Sequence, residues 1–281
     1  MRADHIVAES QKVPTGPQSH RHVQDILMEE FRLTASYRII ERLAVDVMIP
    51  LRHTMIEATF EDEDGHVIPG FTSIHHRTET LVGLADIVLG TSLLAIKPST
   101  ELPLSLTVQV GTTLPTGNIV PDPFKLGAQG LDHQHMFFGT GTINPTVGLH
   151  VGFDFEFLRL ALTNHARLVF MTNSEGYRPS TTLATDLNVI IPTPVEGLDA
   201  VIGAGVFLEG TALWDGKPAL NSGRTDVLTA AGVSWDPGEG LTGSLIIKVP
   251  VYIEAKGGQL EMPLLIQATI GGRFSLTDEG S

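Results

Sequence analysis

Apolar and polar residues alternate with a period of two along most of this chain. The longest run lies between residues 137 and 163. Its odd positions Ile143, Pro145, Val147, Leu149, Val151 and Phe153 are mostly apolar, and its even positions Thr142, Asn144, Thr146, Gly148, His150 and Asp154 are small or polar. Held for about a dozen residues, that period predicts a strand longer than the usual five or six or so. After a short joint at residues 154–157 the alternation restarts, with Leu158, Leu160 and Leu162 on one face and Arg159, Ala161 and Thr163 on the other. Two long strands joined by a tight turn are a hairpin, and much of the chain repeats it.

Phe31, Leu33, Ala35, Tyr37 and Ile39 alternate with Arg32, Thr34, Ser36 and Arg38. A short turn at Glu41 and Arg42 leads to Leu43, Val45, Val47, Ile49 and Leu51, set against Asp46, Met48 and Arg52. A long polar segment follows at residues 61–79. The rhythm continues with a strand at residues 81–96, a turn at 97–102, a strand through Leu104, Leu106, Val108 and Val110, and a long loop at 115–136. Past the hairpin, strands are predicted around Leu187, Ala204, Val233, Val249 and Ile266, with loops at 173–180, 214–223 and 255–259. Short turns alternating with longer loops are the signature of an up-and-down transmembrane β-barrel. The expectation is all-β and antiparallel, about twelve strands, of which about eleven are visible. It divides into a polar N-terminal arm or loop at residues 1–26, the barrel at 27–276 and a tail at 277–281. Bacterial single-chain barrels have an even strand number. The odd count leaves three alternatives: an opening strand and signal peptide upstream of Met1, a twelfth strand drawn from residues 5–23, or a miscount by one.

Composition supports membrane strands. The chain of 281 residues is 42% hydrophobic and only 18% charged, with 29 glycines. Mean hydropathy is +0.14 without an apolar run long enough for a membrane helix, the intermediate value expected when only alternate residues face lipid. A net charge of −14 leaves no basic stripe for phosphate and argues against nucleic acid as a partner. Many of the acids fall in loops, Glu61, Asp62, Glu63 and Asp64 among them. With no cysteine, disulfides, thiol nucleophiles and thiolate metal sites are excluded. The N-terminus lacks the apolar core of a secretory signal.

Several segments carry a resemblance. Leu81-Val-Gly-Leu-Ala-Asp-Ile-Val-Leu-Gly90, the strand from Leu104 that ends Thr113-Leu-Pro-Thr-Gly117, Phe138-Gly-Thr-Gly-Thr-Ile-Asn-Pro145 and the ending Arg273-Phe274 resemble the outer-membrane transporter family named for the MetA pathway of phenol degradation. The likeness runs over most of residues 27–276. It implies a barrel of about twelve strands in the bacterial outer membrane, passing small, often hydrophobic or aromatic compounds, assembled by the barrel assembly machinery and surrounded by outer-membrane lipid. Two departures stand out. The opening strand of that family is absent, and residues 277–281 follow where barrels usually end on an aromatic.

On a barrel, the partition into two faces points Arg32, Arg38, Asp46, Arg52, Asp86, Arg159, His165, Arg167, Asp186, Glu209, Asp226, Lys248, Glu254 and Arg273 into the lumen. An Arg or Lys on the lipid face costs about 2–4 kcal/mol near the midplane, so this placement is the favourable one. These residues either brace a narrow barrel with ion pairs or form a selectivity lining. About twelve strands enclose a lumen narrower than that of the 16-stranded porins, which predicts slow or selective passage. All 11 histidines lie at or before His165. His20 with His22, His75, and His133 with His135 fall where the topology places outer loops; two imidazoles at i and i+2 of an extended chain face one side and could share Cu or Zn. Trp214, Tyr177 and Tyr252, near strand ends, are expected in a sparse aromatic girdle. Catalysis has no motif behind it: no Gly-x-Ser-x-Gly elbow, no His-Glu-x-x-His and no phosphate loop, while His150 and His165 lack a recognisable partner. The sequence thus predicts a passive small-molecule channel, not an enzyme and without a cofactor. The alternatives are a barrel whose histidine-bearing loops bind Cu or Zn and a soluble β-sandwich binding protein.

Overall fold

A computed structural model describes residues 2–7, 20–71, 77–219, 222–238, 240–256 and 260–274. The elements in chain order are β1 (Arg2–Val7), β2 (His20–Ile40), β3 (Leu43–Glu61), β4 (Glu79–Leu84), β5 (Ile87–Ile96), β6 (Leu104–Leu114), α1 (Pro123–Ala128), β7 (Asn144–Asp154), β8 (Arg159–Arg167), β9 (Tyr177–Arg178), β10 (Thr182–Pro192), β11 (Leu198–Glu209), β12 (Leu213–Trp214), β13 (Lys217–Pro218), β14 (Arg224–Trp235), β15 (Leu241–Ala255), β16 (Leu260–Glu261) and β17 (Leu265–Gly272). The long strands are the ones whose alternation is strongest, because a pleated backbone sends successive side chains to opposite faces.

One antiparallel sheet joins them in the order β16-β1-β2-β3-β5-β6-β7-β8-β10-β11-β14-β15-β17, with β4 on β3. Each long strand pairs with its neighbours in sequence, which is up-and-down topology. The short turns, at residues 41–42, 97–103, 155–158, 193–197 and 236–240, share one end; the long loops share the other. β4 and β5 are two halves of one strand, both pairing with β3 and interrupted at Ala85 and Asp86. The two ends of the hydrogen-bonded path, β16 and β17, are successive pieces of the C-terminal chain, so the sheet returns upon itself as a barrel. Its ladder does not close. β1 reaches β16 through Arg2–Glu261 and Ala3–Leu260, whereas residues 26–40 of β2 pair only with β3 and β17 pairs only with β15 among the described residues.

Three expectations change. The arm at residues 1–26 is strand where it is described: β1 pairs with His20–Asp25, and β2 starts at His20, not near Leu27. Backbone pairing there needs no apolar face, so the period-two signal fades before the strand does. The single strand expected at residues 81–96 is broken, for a reason given below. Beyond the bulge at Val227/Leu228, the register shift pairs Glu254 with Thr225, which turns Glu254 onto the outward face, away from the lumen.

The two faces are inverted relative to a soluble protein. Phe31, Leu33, Val110, Ile202 and Val249, all on the outer rows, are exposed. The inner rows bury polar groups instead: Thr54, Thr113, Asn144, Thr146 and Asp226. A sandwich would hide its apolar face between two sheets. Here one large sheet displays it, so the soluble sandwich reading fails. Among the described residues no helix is long and apolar enough to cross a membrane.

Candidate channel constriction

Asp86 organises the long-loop end of the lumen. It is buried at the break between β4 and β5. Its Oδ1 accepts the backbone N–H of Gly117 at 3.1 Å; its Oδ2 accepts the backbone N–H of Thr140 at 2.8 Å and the Thr140 hydroxyl. The carboxylate therefore ties together both ends of the loop at residues 115–143. Those ends are the Leu-Pro-Thr-Gly and Gly-Thr-Gly-Thr motifs. They touch backbone to backbone: a Cβ on Gly139 would lie 2.3 Å from the Gly117 carbonyl carbon and oxygen, so glycine is required where the segments cross. Leaving the ladder to meet this loop is why the strand breaks at Asp86.

Asn144 completes the anchor. It is wholly buried, at 0% exposure. Its side-chain N–H groups reach the Thr113 and Thr140 hydroxyls, both at 3.0 Å, and the Thr142 carbonyl at 3.1 Å, while its Oδ1 accepts the Thr142 hydroxyl at 3.0 Å. Asn173, in the next long loop, donates to the Thr140 carbonyl at 3.1 Å and accepts the N–H groups of Glu175 and Tyr177, both at 2.9 Å. That second loop carries β9, which with β12 and β13 forms a small separate sheet. In it Tyr177 stacks obliquely on Trp214 at 4.7 Å, and Phe137 meets the Tyr177 ring edge-on at 5.0 Å. Lys125 of α1 forms an ion pair with Asp215 between β12 and β13. Three long loops, carrying α1, β9, and β12 with β13, thus fold into one packed unit across the lumen.

Beneath it lies a cavity of about 270 Å³. The barrel contributes Glu30, Arg32, Arg52, His165 and Arg167 from its inward rows; the loops contribute Phe137, Phe138, Gly139, Thr140, Tyr177 and Pro179, with Asp86 at the join. Glu30 is bound by Arg52 Nε at 2.6 Å and by Arg32. Arg167 donates from Nη2 to the Ser180 carbonyl at 3.2 Å, and its buried Nε has no hydrogen-bond partner. Burial pushes the Tyr177 phenol up to about 12, with Glu209 adding to the effect and Arg167 opposing it.

Five of the predicted lumen residues, Arg32, Arg52, Asp86, His165 and Arg167, therefore come together at one level. The others do not join them. Arg38 and Asp46 continue the inward rows of β2 and β3 toward the short turns, where Asp46 accepts the Ser92 hydroxyl. Lys248 and Asp186 pair at 2.6 Å although two strands separate them. Arg159 pairs with Asp154 beside the tight turn. Asp226 pairs with Arg224 at 2.6 Å, both nearly buried. Glu209 accepts the Ser180 hydroxyl at 3.4 Å. Arg273 is not in the lumen: it follows the end of β17, its side chain is 80% exposed, and it faces Asp236 of a short turn at 3.5 Å. The alternation that pointed it inward stops one residue earlier.

Two girdle expectations also change. Trp214, at 6% exposure, and Tyr177 pack into the loop unit because the small sheet turns them inward, while Tyr252 remains exposed. The aromatic wall of Phe137, Phe138 and Tyr177 and the Asn144 anchor are the functional elements that alternation does not reveal, since they lie in loops or at a strand start. Their available signal is the glycine-threonine motif beside them.

Of the predicted histidine ligands, His133 and His135 meet, Nε2 to Nε2 at 3.1 Å, and His133 Nδ1 lies 2.8 Å from the Leu131 carbonyl. His20 does not join them; it packs against Phe71 at 4.5 Å and Phe60 at 6.1 Å. His75 and the side chain of His22 lie outside the described residues. Asp62, Asp64 and His66 cluster at a hairpin tip, where the Asp62 carboxylate accepts the backbone N–H groups of the other two. His150 Nε2 lies 3.0 Å from Gln109 Oε1, a polar contact with no nucleophile in it.

No family model matches the chain, and no curated protein matches it. Among solved structures, the crystal structure of an outer membrane channel from Pseudomonas putida F1 is similar, with a TM-score of 0.58 and 14% identity over 96% of this chain and 91% of that one. At that identity the likeness is one of fold: this chain shares the antiparallel β-barrel architecture of that channel.

Proposed function

We propose that the chain is a passive β-barrel channel of the bacterial outer membrane, without cofactor or turnover, that admits small molecules, hydrophobic and aromatic compounds among them, past a loop constriction. The observation that carries this reading is the inverted barrel: apolar rows outward, polar rows inward, and the 115–143 loop locked across the lumen by Asp86 and Asn144, with Asn173 tying the next loop to it. Lipid of the outer membrane covers the apolar rows, the barrel assembly machinery inserts them, and a solute threads between the guanidinium wall and the aromatic wall. This reading agrees with the transporter family that the motifs resemble. The refolded protein in planar bilayers should show small discrete conductance steps. Protein that stays monomeric in buffer without detergent and never inserts would sink the proposal.

A second reading rests on the His133–His135 pair. The Leu131 carbonyl accepts a hydrogen bond from His133 Nδ1–H, so in the neutral tautomer the ring presents its Nε2 lone pair toward His135. Two such nitrogens can hold Zn or Cu, at roughly 2.0–2.1 Å from Zn. Calorimetric titration with Zn should then give heat that the double variant H133A/H135A loses; equal heat from both would reject it.

A further inference from the structure

The charges around the cavity do not cancel. Three guanidiniums, Arg32, Arg52 and Arg167, and the His165 imidazole face two carboxylates, Glu30 and Asp86. Both carboxylates are already engaged. One oxygen of Glu30 takes Arg32 and the other takes Arg52, and both oxygens of Asp86 hold the loop. Arg167 is left with one neutral carbonyl and a buried Nε–H that donates to nothing, and it forms no ion pair among the described residues. A buried guanidinium with no anion in direct contact is costly, and in a narrow lumen its field is focused on whatever passes. The opposite wall, Phe137, Phe138, Tyr177 and Pro179, is largely apolar. Tyr177 keeps its proton throughout the neutral range, so it offers a donor without adding charge.

We propose that this cavity is a binding site for a small arene carboxylate, its carboxylate on Arg167 and Arg52 and its ring against Phe137 and Tyr177. The inference deepens the channel reading and rests on it for its consequence, selectivity. Among the lining groups guanidiniums outnumber carboxylates by one, and a monoanion matches that excess; Glu209, the further acid whose charge reaches Arg167, lies outside the lining and accepts the Ser180 hydroxyl. A guanidinium fork accepts the two oxygens of a carboxylate side by side, and the two walls face the two halves of such a molecule. A phosphate dianion would leave a charge unmatched and set oxygens against the phenylalanines. At about 270 Å³ the site lies just under the roughly 300–1,000 Å³ of pockets for drug-sized ligands, which suits a single-ring acid.

Two readouts test it. In planar bilayers, sodium benzoate at millimolar concentration should reduce or flicker-block the current, benzyl alcohol should not, and acetate should act at least tenfold more weakly than benzoate. In detergent, where conduction plays no part, benzoate should quench Trp214 fluorescence, since Trp214 touches Tyr177 and Phe137. R167Q should weaken both effects at least tenfold, R167K by less, and R273Q, remote from the cavity, not at all. Heat-modified electrophoretic mobility checks that each variant has folded. Pores that open but show neither block nor quench overturn the site. Block by benzyl alcohol equal to that by benzoate overturns its charge selectivity, and unchanged binding in folded R167Q overturns the assignment of Arg167. Quench without any pore formation leaves the site standing and rejects the channel.

Discussion

Replacing Asp86 by Asn should open the constriction while leaving the barrel intact. Asn has nearly the shape of Asp but only one acceptor corner. In the wild type two backbone N–H groups and one hydroxyl converge on the two corners of a buried carboxylate. With an amide there, one corner presents N–H to a donor. At least one buried N–H then goes unsatisfied, at about 1–3 kcal/mol, and the remaining bonds fall from charged to neutral strength, losing about 1 kcal/mol more. The sum, roughly 2–4 kcal/mol, multiplies the population of the released loop by a factor on the order of 30 to 1,000, at about 1.4 kcal/mol per factor of ten. Strand pairing is untouched, because Asp86 lies outside the ladder.

Trypsin reads this directly. Lys125 is the one Lys or Arg between residues 115 and 143. It lies in α1, which must unravel to enter a protease cleft. Cleavage there should accelerate in D86N by at least tenfold when opening is fast relative to cutting, and single-channel conductance should rise. Wild-type cleavage rate together with wild-type conductance in folded D86N would refute the clamp.

Gly139→Ala should act like D86N, because the new Cβ would meet Gly117 backbone atoms that cannot move aside, at a cost of about 1–3 kcal/mol or more; Lys125 cleavage at the wild-type rate would count against it. Asn144→Ala leaves the hydroxyls of Thr113, Thr140 and Thr142 short of partners and should destabilise the refolded barrel by about 2–4 kcal/mol, measured as the urea midpoint at unchanged slope. For Tyr177, a folded-state value raised to about 12 from an ordinary 10.0 means its stabilising contribution is complete below pH 10 and is lost between pH 10 and 12, some 2–3 kcal/mol in all. Absorbance at 295 nm should show a late phenolate step that Y177F removes; if the step survives in Y177F, the assignment fails. Lys248→Met removes the partner of Asp186 across two intervening strands, and its effect should fall on unfolding rate more than on pore conductance.

Alternation reports the strands because in a membrane barrel each residue faces either lipid or lumen, and the penalty for the wrong choice is paid locally. Arg32, Asp46, Arg52, Arg167 and Asp186 could be assigned to the inner face from their neighbours alone. The pattern fails where that local penalty disappears. Residues 20–26 are strand although only Val23 and Ile26 among them are apolar, Arg273 lies past its strand, and Glu254 changes face because a bulge inserts one residue that no composition rule marks. In each case backbone geometry, not side-chain hydropathy, decides.

The constriction escapes alternation for a different reason. Asp86, Gly117, Gly139, Thr140 and Asn144 belong to three separate segments, and their roles exist only where those segments meet. The sequence shows two glycine-threonine motifs and an acid inside an apolar strand; only the contact of Gly117 with Gly139 at 2.3 Å for an added Cβ explains why both motifs need glycine. The same meeting carries Phe137 and Phe138 over the guanidiniums of β2, β3 and β8, strands whose cationic rows are otherwise ordinary lumen residues. The barrel supplies the positive wall, the loop supplies the apolar one, and Asp86 sets the distance between them. Selectivity and gating are therefore coupled: releasing the clamp that holds the loop should also remove the aromatic half of the anion site, so D86N should bind benzoate no better than acetate.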